Sequence, residues 1–255
     1  MRKSSSCKIN ERHEEILEIL HQTPYASVEF LANELHISPS SIRRDLAMLE
    51  TKGVVVRSHG GVSLKVTDNL DIPFELRMQS HAAEKKLIAQ KAVELIEDGD
   101  TVFVDPSTTS MYLVYELVRK RGLTVITNGI NVLHYLQPYN VRAVCTGGIL
   151  DHADRAAMVG NETIRRINEM RADIVFFSPQ AIDNDGTMFD CYPEEAATVQ
   201  AMINCSAKRI CLCDSSKIGC TSSFKQSDMS QIDAIVCDTP IEQIYGEKFP
   251  NVKFL

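Results

Sequence analysis

The chain is 255 residues long and 44% hydrophobic, with 27 Lys and Arg against 34 Asp and Glu and a formal net charge of −7. This length and apolar content suit two domains with packed cores, exclude one small module, and include no run of about 18 apolar residues that could cross a membrane. The acidity is unevenly spread: residues 1–65 hold 9 basic and 8 acidic side chains, and residues 66–255 hold 18 and 26.

From the N-terminus, Met1-Arg2-Lys3-Ser4-Ser5-Ser6-Cys7 carries charge with no apolar stretch behind it. That is not the pattern of a secretory signal, so a cytoplasmic location is expected. A helix is predicted over residues 10–21, with Ile16, Leu17 and Leu20 on one face, and Thr23-Pro24-Tyr25 ends it. Ser27 caps a second helix over 28–35, and His36-Ile37 connects tightly to a third. There Ser38 is a good N-cap and Pro39 suits the first helical position. Ile42, Leu46 and Leu49 fall at i, i+4 and i+7 and share a face, so Ser40, Arg43, Arg44 and Ala47 point roughly the other way. A face of small, hydroxyl and arginine side chains suits a DNA major groove, because small residues allow close approach and arginine forks onto guanine or holds phosphate.

After Gly53 the period changes to that of a strand. Segments 54–57 and 62–65 flank Ser58-His59-Gly60-Gly61, and a hairpin turn there needs the positive φ that glycine supplies. Two short helices joined by a turn and followed by a hairpin make a winged helix-turn-helix over residues 1–65. Ser38, Ser40, Ser41, Arg43 and Arg44 would face the groove, with Arg57, His59 and Gly60 at the DNA backbone or minor groove. The net charge of this segment is only +1, so the DNA reading rests on where the charges sit rather than on their number.

Residues 66–80 read as a linker with an extended piece at Asp71-Ile72-Pro73-Phe74, since proline disfavours helix just before it. A helix is predicted over 82–97 and stops at Asp98-Gly99-Asp100. Then apolar strands run repeatedly into polar or glycine-rich loops. Segment 101–104 leads to Asp105-Pro106-Ser107-Thr108-Thr109, 123–126 to Thr127-Asn128-Gly129, and 141–145 to Thr146-Gly147-Gly148. Segment 173–177 leads to Ser178-Pro179-Gln180 and on to Asp183, 209–213 to Asp214-Ser215-Ser216-Lys217, and 234–237 closes the series. Strands alternating with helices predict an α/β domain over 81–255 with a doubly wound, mainly parallel sheet. In such a sheet the loops at the carboxyl ends of the strands gather into a ligand crevice.

Ser107, Thr108 and Thr109 precede a helix, where hydroxyls and free N–H groups suit a phosphate. Gly147 and Gly148 permit close backbone approach. Lys217 offers a mobile cation. Thr127 opens the loop that carries Asn128, and Asn128, Asp105, Asp183 and Asp214 suit sugar hydroxyls. The predicted effector is a small phosphorylated sugar or polyol. Each feature also has an ordinary explanation as a helix cap or a turn, and the argument lies in five loops carrying such residues at equivalent positions. Eight cysteines are scattered, and only Cys211 and Cys213 are close-spaced; they are read as facing opposite sides of a strand. With no CxxC pair, buried reduced thiols are expected, with no metal site and no cofactor.

The run Val28…Leu31-Ala32…Leu35…Ser38…Ser41-Ile42-Arg43-Arg44-Asp45-Leu46…Leu49-Glu50…Gly53…Arg57…His59-Gly60-Gly61 closely resembles the winged helix-turn-helix of the DeoR family of bacterial transcriptional regulators. Asp98-Gly99-Asp100, the Asp105–Thr109 loop, Thr127-Asn128, Gly147-Gly148, Val159-Gly160, Asp185-Gly186 and Asp214-Ser215-Ser216-Lys217 look like the sensor domain of that family, which is similar in fold to ribose-5-phosphate isomerase. The resemblance implies a DNA-binding regulator, a repressor of carbohydrate genes that acts on a double-stranded operator. It also implies control by a sugar-phosphate effector and a homo-dimer or tetramer. The alternative is a sugar-phosphate isomerase-like enzyme fused to a DNA module, with Asp183, Asp185, Glu194, Glu195 and Lys217 moving protons. Val199 stands where the family commonly carries lysine, which argues against that alternative.

Overall fold

The computed structural model describes residues 5–22, 26–52, 54–58, 61–64, 74–151 and 156–255. Thr23-Pro24-Tyr25, Gly53, His59, Gly60 and the linker stretch 65–73 lie outside the described residues. The chain forms two compact units, Met1–Ile72 and Pro73–Leu255.

In the first unit, α1 (Ser5–Gln22) begins earlier than expected and is followed by the short strand β1 (Ala26–Ser27). Helix α2 (Val28–Glu34) is capped by Ser27, whose hydroxyl accepts from the Phe30 N–H at 3.0 Å. His36 takes a left-handed conformation with φ 52°, and the Ile37 N–H returns to the Ala32 carbonyl at 2.9 Å, which closes the turn. Helix α3 (Pro39–Thr51) then starts at the Ser38 cap with proline in its first turn. Ile42, Leu46 and Leu49 are buried, as the spacing predicts, as are Ile16, Leu17 and Leu20 of α1 and Leu31 of α2, the two helices that α3 packs on. Strands β2 (Val55–Ser58) and β3 (Gly61–Leu64) pair antiparallel with Ser58 opposite Gly61, and β1 adds to the other edge of β3.

The second unit opens with α4 (Phe74–Gln79) and α5 (Ala82–Ala92), whose last turn tightens to a 3-10 turn over Val93–Leu95 rather than running on as α-helix. The chain continues through β4 (Thr101–Val104), α6 (Thr108–Leu117), β5 (Thr124–Thr127), α7 (Ile130–Leu136) and β6 (Arg142–Cys145). A small hairpin of β7 (Ile149–Leu150) and β8 (Met158–Val159) precedes α8 (Asn161–Asn168) and β9 (Ala172–Phe177). After these come β10 (Ala181–Ile182), β11 (Thr187–Asp190), α9 (Pro193–Asn204), β12 (Ser206–Cys213), β13 (Phe224–Asp228), β14 (Ala234–Cys237), α10 (Glu242–Tyr245) and β15 (Lys253–Phe254).

Seven strands form one parallel sheet in the order β15-β14-β12-β9-β4-β5-β6. Alternate residues of the strands feed opposite cores, as the period of two requires. Val102, Val104, Ile174, Phe176, Leu212 and Val236 pack against α5, α6 and α7. Phe103, Val175, Phe177, Cys211, Cys213 and Cys237 pack against α8, α9 and α10. The fold is therefore doubly wound, as expected. Cys211 and Cys213 do not face opposite sides: two residues apart on a strand, they share a face, and both are fully buried with free thiols. The antiparallel sheet β10-β11-β13, beside the main one, was not foreseen.

Candidate functional site

On α3, Ser38, Ser40, Arg43 and Arg44 are exposed and Ser41 is half-buried. The Ser38 hydroxyl accepts from the Ser41 N–H at 3.3 Å and lies 3.0 Å from the hydroxyls of both Ser40 and Ser41, so three hydroxyls cluster at the positive end of the helix. Arg43 reaches Glu29 of α2 at 3.3 Å with both side chains more than half exposed, an ion pair that water weakens and a polyanion can displace. Arg57 sits in β2 opposite Val62.

Sequence reasoning gave Asp45 no role, yet it faces inward with 1% exposure. The Arg12 guanidinium of α1 grips it with a fork, Nε to Oδ2 at 2.5 Å and Nη2 to Oδ1 at 2.6 Å, and His13 Nε2 lies 3.6 Å from Oδ1. Burial lowers the pKa of His13 despite that carboxylate. The signal was available: Asp45 falls on the same stripe as Ile42, Leu46 and Leu49, and a carboxylate on an apolar face needs a cationic partner.

In the second unit, the loops after β4, β5 and β9 meet where the chain order of the sheet reverses. Asp105 is the centre of this cleft. Its Oδ1 accepts from the Ser107 hydroxyl at 2.7 Å and the Ser107 N–H at 3.2 Å, and its Oδ2 accepts from the Ser178 N–H at 2.8 Å. Burial pushes its pKa up, and hydrogen bonds from Ser110, Ser107 and the Ser178 backbone oppose that. The Asn128 amide donates to the Met158 carbonyl at 2.9 Å, while its buried Oδ1 has no hydrogen-bond partner among the described residues. Gln180 and Asp190 close the cleft from the β10-β11 side and Glu195 from the first turn of α9, and Arg77 of α4 lines it too. The Asp190 pKa is raised to about 6, first by burial and also by Asp105, against donation from the Tyr192 and Cys191 N–H groups. The space left is about 20 Å³. That is room for about one water, whereas ligand pockets usually measure about 300 Å³ or more, so this conformation is closed.

Other expected effector residues are placed differently. Ser107 caps α6 by accepting from the Ser110 N–H at 3.1 Å, and Thr108 and Thr109 are buried in the first turn of α6 without lining the cleft. The Thr127 hydroxyl accepts from the Gly129 N–H at 2.9 Å, holding the loop that presents Asn128. The close approach at Gly147-Gly148 is to α8 rather than to the cleft. A Cβ on Gly148 would come within 1.9 Å of Thr163 Oγ1, and that hydroxyl donates to the Gly147 carbonyl at 2.7 Å. Asp183 accepts from the Asp185 and Thr187 N–H groups, both at 2.9 Å, and is spent on the β10-β11 turn. Lys217 donates to Ser178 Oγ at 2.9 Å and the Pro179 carbonyl at 2.7 Å, so it braces the cleft from behind. Asp214 accepts from the Ser216 N–H at 3.2 Å; burial alone would raise its pKa, but Lys217 and Ser216 bring it below the usual range. Among the described residues, no group of three or more His, Cys, Asp or Glu could hold a metal ion, and no helix is long and apolar enough to cross a membrane.

The profile of the DeoR C terminal sensor domain matches residues 80–239, and that of the DeoR-like helix-turn-helix domain matches residues 12–67. The chain belongs to the DeoR family. It is 31% identical over 234 residues to the glycerol-3-phosphate regulon repressor of Escherichia coli (strain K12), covering 91% of this chain and 92% of that one. It is 32% identical to the lactose phosphotransferase system repressor of Staphylococcus epidermidis, over 89% of this chain and 91% of the other. It is 33% identical to the L-fucose operon activator of Haemophilus influenzae, over 90% and 92%. Like these DeoR-family relatives, the chain is a transcriptional regulator and not an enzyme. Among solved structures, ribose 5 phosphate isomerase A of Neisseria gonorrhoeae matches with a TM-score of 0.40 at 16% identity over 54% of this chain and 53% of its own. Translation initiation factor eIF-2B of Pyrococcus horikoshii OT3 matches with a TM-score of 0.49 at 11% identity over 93% and 91%. Likenesses this distant carry no functional argument.

Proposed function

We propose that this DeoR-family protein is a cytoplasmic repressor of carbohydrate genes that binds a double-stranded operator as a homo-dimer or tetramer and is released by a small phosphorylated sugar. The winged helix-turn-helix is residues 1–65 and the effector domain 81–255; of the 66–80 segment between them, α4 (Phe74–Gln79) belongs with the effector unit and the stretch before it does the joining. The reading head is the exposed face of α3, with Ser38, Ser40, Ser41, Arg43 and Arg44 at the major groove and Arg57, His59 and Gly60 at the flanking backbone. Two such helices must meet DNA about one helical turn apart, ~34–36 Å, so a change in how copies assemble alters affinity without touching the helix itself.

The observation that carries the effector reading is the convergence of Asp105, Ser107, Asn128 and Ser178 from three strand ends, with the buried Asn128 Oδ1 lacking a donor among the described residues. Sugar hydroxyls supply such donors. Thr127 and Lys217 support that cleft from its rim and rear. Linkage then fixes the logic: an effector that binds one sensor state better changes operator affinity by the same coupling energy. The test combines a thermal-shift screen of the full chain against glycerol 3-phosphate and pentose and hexose phosphates with operator binding in the presence and absence of each hit. A hit that changes operator affinity at least fivefold is expected. A chain that ignores the whole panel refutes the effector chemistry.

A further inference from the structure

The cleft carries more negative charge than positive. Three carboxylates line it, those of Asp105, Asp190 and Glu195, against the one guanidinium of Arg77, so the wall is left two charges negative. Val199, one turn after Glu195 on α9, lines the cleft as well and supplies no counter-charge. Lys217 sits behind the wall on Ser178 and Pro179, and its charge is answered there by Asp214. Burial first, and then the charge of Asp105, raise the Asp190 pKa to about 6, so the two buried carboxylates already oppose each other.

The cleft is also richer in acceptors than in donors. The Ser107 hydroxyl is used on Asp105 Oδ1 at 2.7 Å, and the Asn128 amide on the Met158 carbonyl at 2.9 Å. The acceptors are less fully used. Asn128 is 1% exposed, and its Oδ1 has no hydrogen-bond partner among the described residues. Asp105 Oδ2 accepts from the Ser178 N–H at 2.8 Å and Asp190 Oδ2 from the Gln226 amide at 3.0 Å, and a carboxylate oxygen can accept a second bond. A sugar hydroxyl brings one donor and no charge. A primary ammonium brings three donors, no acceptor and a positive charge. It is also close to a water molecule in size, and the space between these side chains, about 20 Å³, holds about one water.

We propose that the effector is a phosphorylated amino sugar whose ammonium group seats against Asn128 Oδ1, Asp105 and Asp190, with Glu195 adding to the negative wall. This rests on the effector reading above and narrows its ligand class. The charge balance favours it over a neutral sugar phosphate. A phosphate brings about −1.5 to −2 charges at neutral pH, which a negative wall repels, whereas an ammonium on the same ligand is drawn to that wall and offsets the repulsion. The ammonium seat is present in the closed cleft, and only the rest of the sugar needs the wall to open.

The experiment is calorimetric titration of the full chain with glucosamine 6-phosphate and galactosamine 6-phosphate. Each is set beside its hydroxyl counterpart, glucose 6-phosphate or galactose 6-phosphate, beside its N-acetyl form, which keeps the nitrogen without the charge, and beside the unphosphorylated amino sugar. One of the two amino sugar phosphates is expected to bind about 10- to 100-fold tighter than its hydroxyl and N-acetyl counterparts, the range of a charge-assisted hydrogen bond. Asp190→Asn and Glu195→Gln keep shape and remove one charge each, and each is expected to shrink that preference at least threefold. A preference is a ratio within one variant, so a general loss of stability does not imitate it. If a hydroxyl or N-acetyl form binds as tightly as the amine, this proposal falls and the effector reading stands. If the wild type prefers the amine but both variants keep the full preference, the assignment to this wall falls. If the unphosphorylated amino sugar binds as tightly as its phosphate, the ammonium seat stands and the phosphate part of the effector reading falls. If nothing in the panel binds, both readings fall together.

Discussion

Asp45→Ala should loosen the DNA-binding unit without altering any side chain of its exposed face. The carboxylate makes two charge-assisted hydrogen bonds to Arg12, at 2.5 and 2.6 Å, and has 1% of its surface exposed. Breaking a fully buried pair by removing one partner costs about 3–5 kcal/mol. Here the Arg12 side chain keeps 25% exposure, so water re-solvates the guanidinium and the expected loss falls to about 2–3 kcal/mol. The assay is hydrogen exchange of the full chain read on peptides from α1 and α3. The slowest α3 amides should exchange about 30- to 150-fold faster, the factor to which that loss corresponds. Arg12→Met with Asp45→Leu should recover most of it, because apolar side chains of similar size carry no desolvation cost. A loss under about 0.5 kcal/mol for Asp45→Ala, or the same protection in every variant, would refute the view that this pair fastens α3 to α1.

Arg44→Ala should weaken operator binding and narrow the gap between the operator and a base-substituted site by about 1–3 kcal/mol in competition titrations; parallel loss on both sites would make Arg44 a phosphate clamp instead. Gly148→Ala combines φ +128° with a Cβ 1.9 Å from Thr163 Oγ1 and 2.7 Å from the Val159 carbonyl, and should lower the stability of the second unit by about 3 kcal/mol in urea unfolding. An unchanged midpoint would mean that α8 yields freely. Asp190 has a folded pKa of about 6, above its unfolded value, so the folded state holds an extra proton between about pH 4 and 6, and stability falls as pH rises through that window. Asp190→Asn should therefore gain on wild type from pH 4 to 7 by about 2–3 kcal/mol at most, since a flipped Gln226 can offer its unpartnered Oε1 to the new amide. A constant difference across that range would show that Asp190 does not titrate there.

Much of this was readable from residue order. The Ile42, Leu46 and Leu49 stripe and the Ser38-Pro39 start define α3 locally, because capping and helical periodicity depend on neighbours in sequence. The apolar strand runs were equally legible, since a parallel sheet covered on both faces needs continuous hydrophobic segments. What the sequence withheld depends on distant partners. Gly147-Gly148 declared a close approach but not to what, and the answer, Thr163, lies on a later helix. Lys217 declared a cation whose use by Ser178 and Pro179 is set by a strand crossing. Arg77 sits on a six-residue helix inside the stretch read as linker, where no periodic stripe announces it. Strand β13 reads Phe-Lys-Gln-Ser-Asp, too polar for a core strand, because it belongs to the side sheet with β10 and β11.

The order of the large sheet also dictates when the protein becomes controllable. Strand β4 lies in the interior, between β5 and β9, and its register pairs Val102 with Ile174. A ribosome therefore delivers β4 and its neighbour β9 about seventy residues apart, and the cleft needs Asp105 from the end of one and Ser178 from the end of the other. The N-terminal unit, by contrast, closes on contacts within residues 1–72. During synthesis the chain thus acquires its means of reading DNA before it acquires any means of being told to let go.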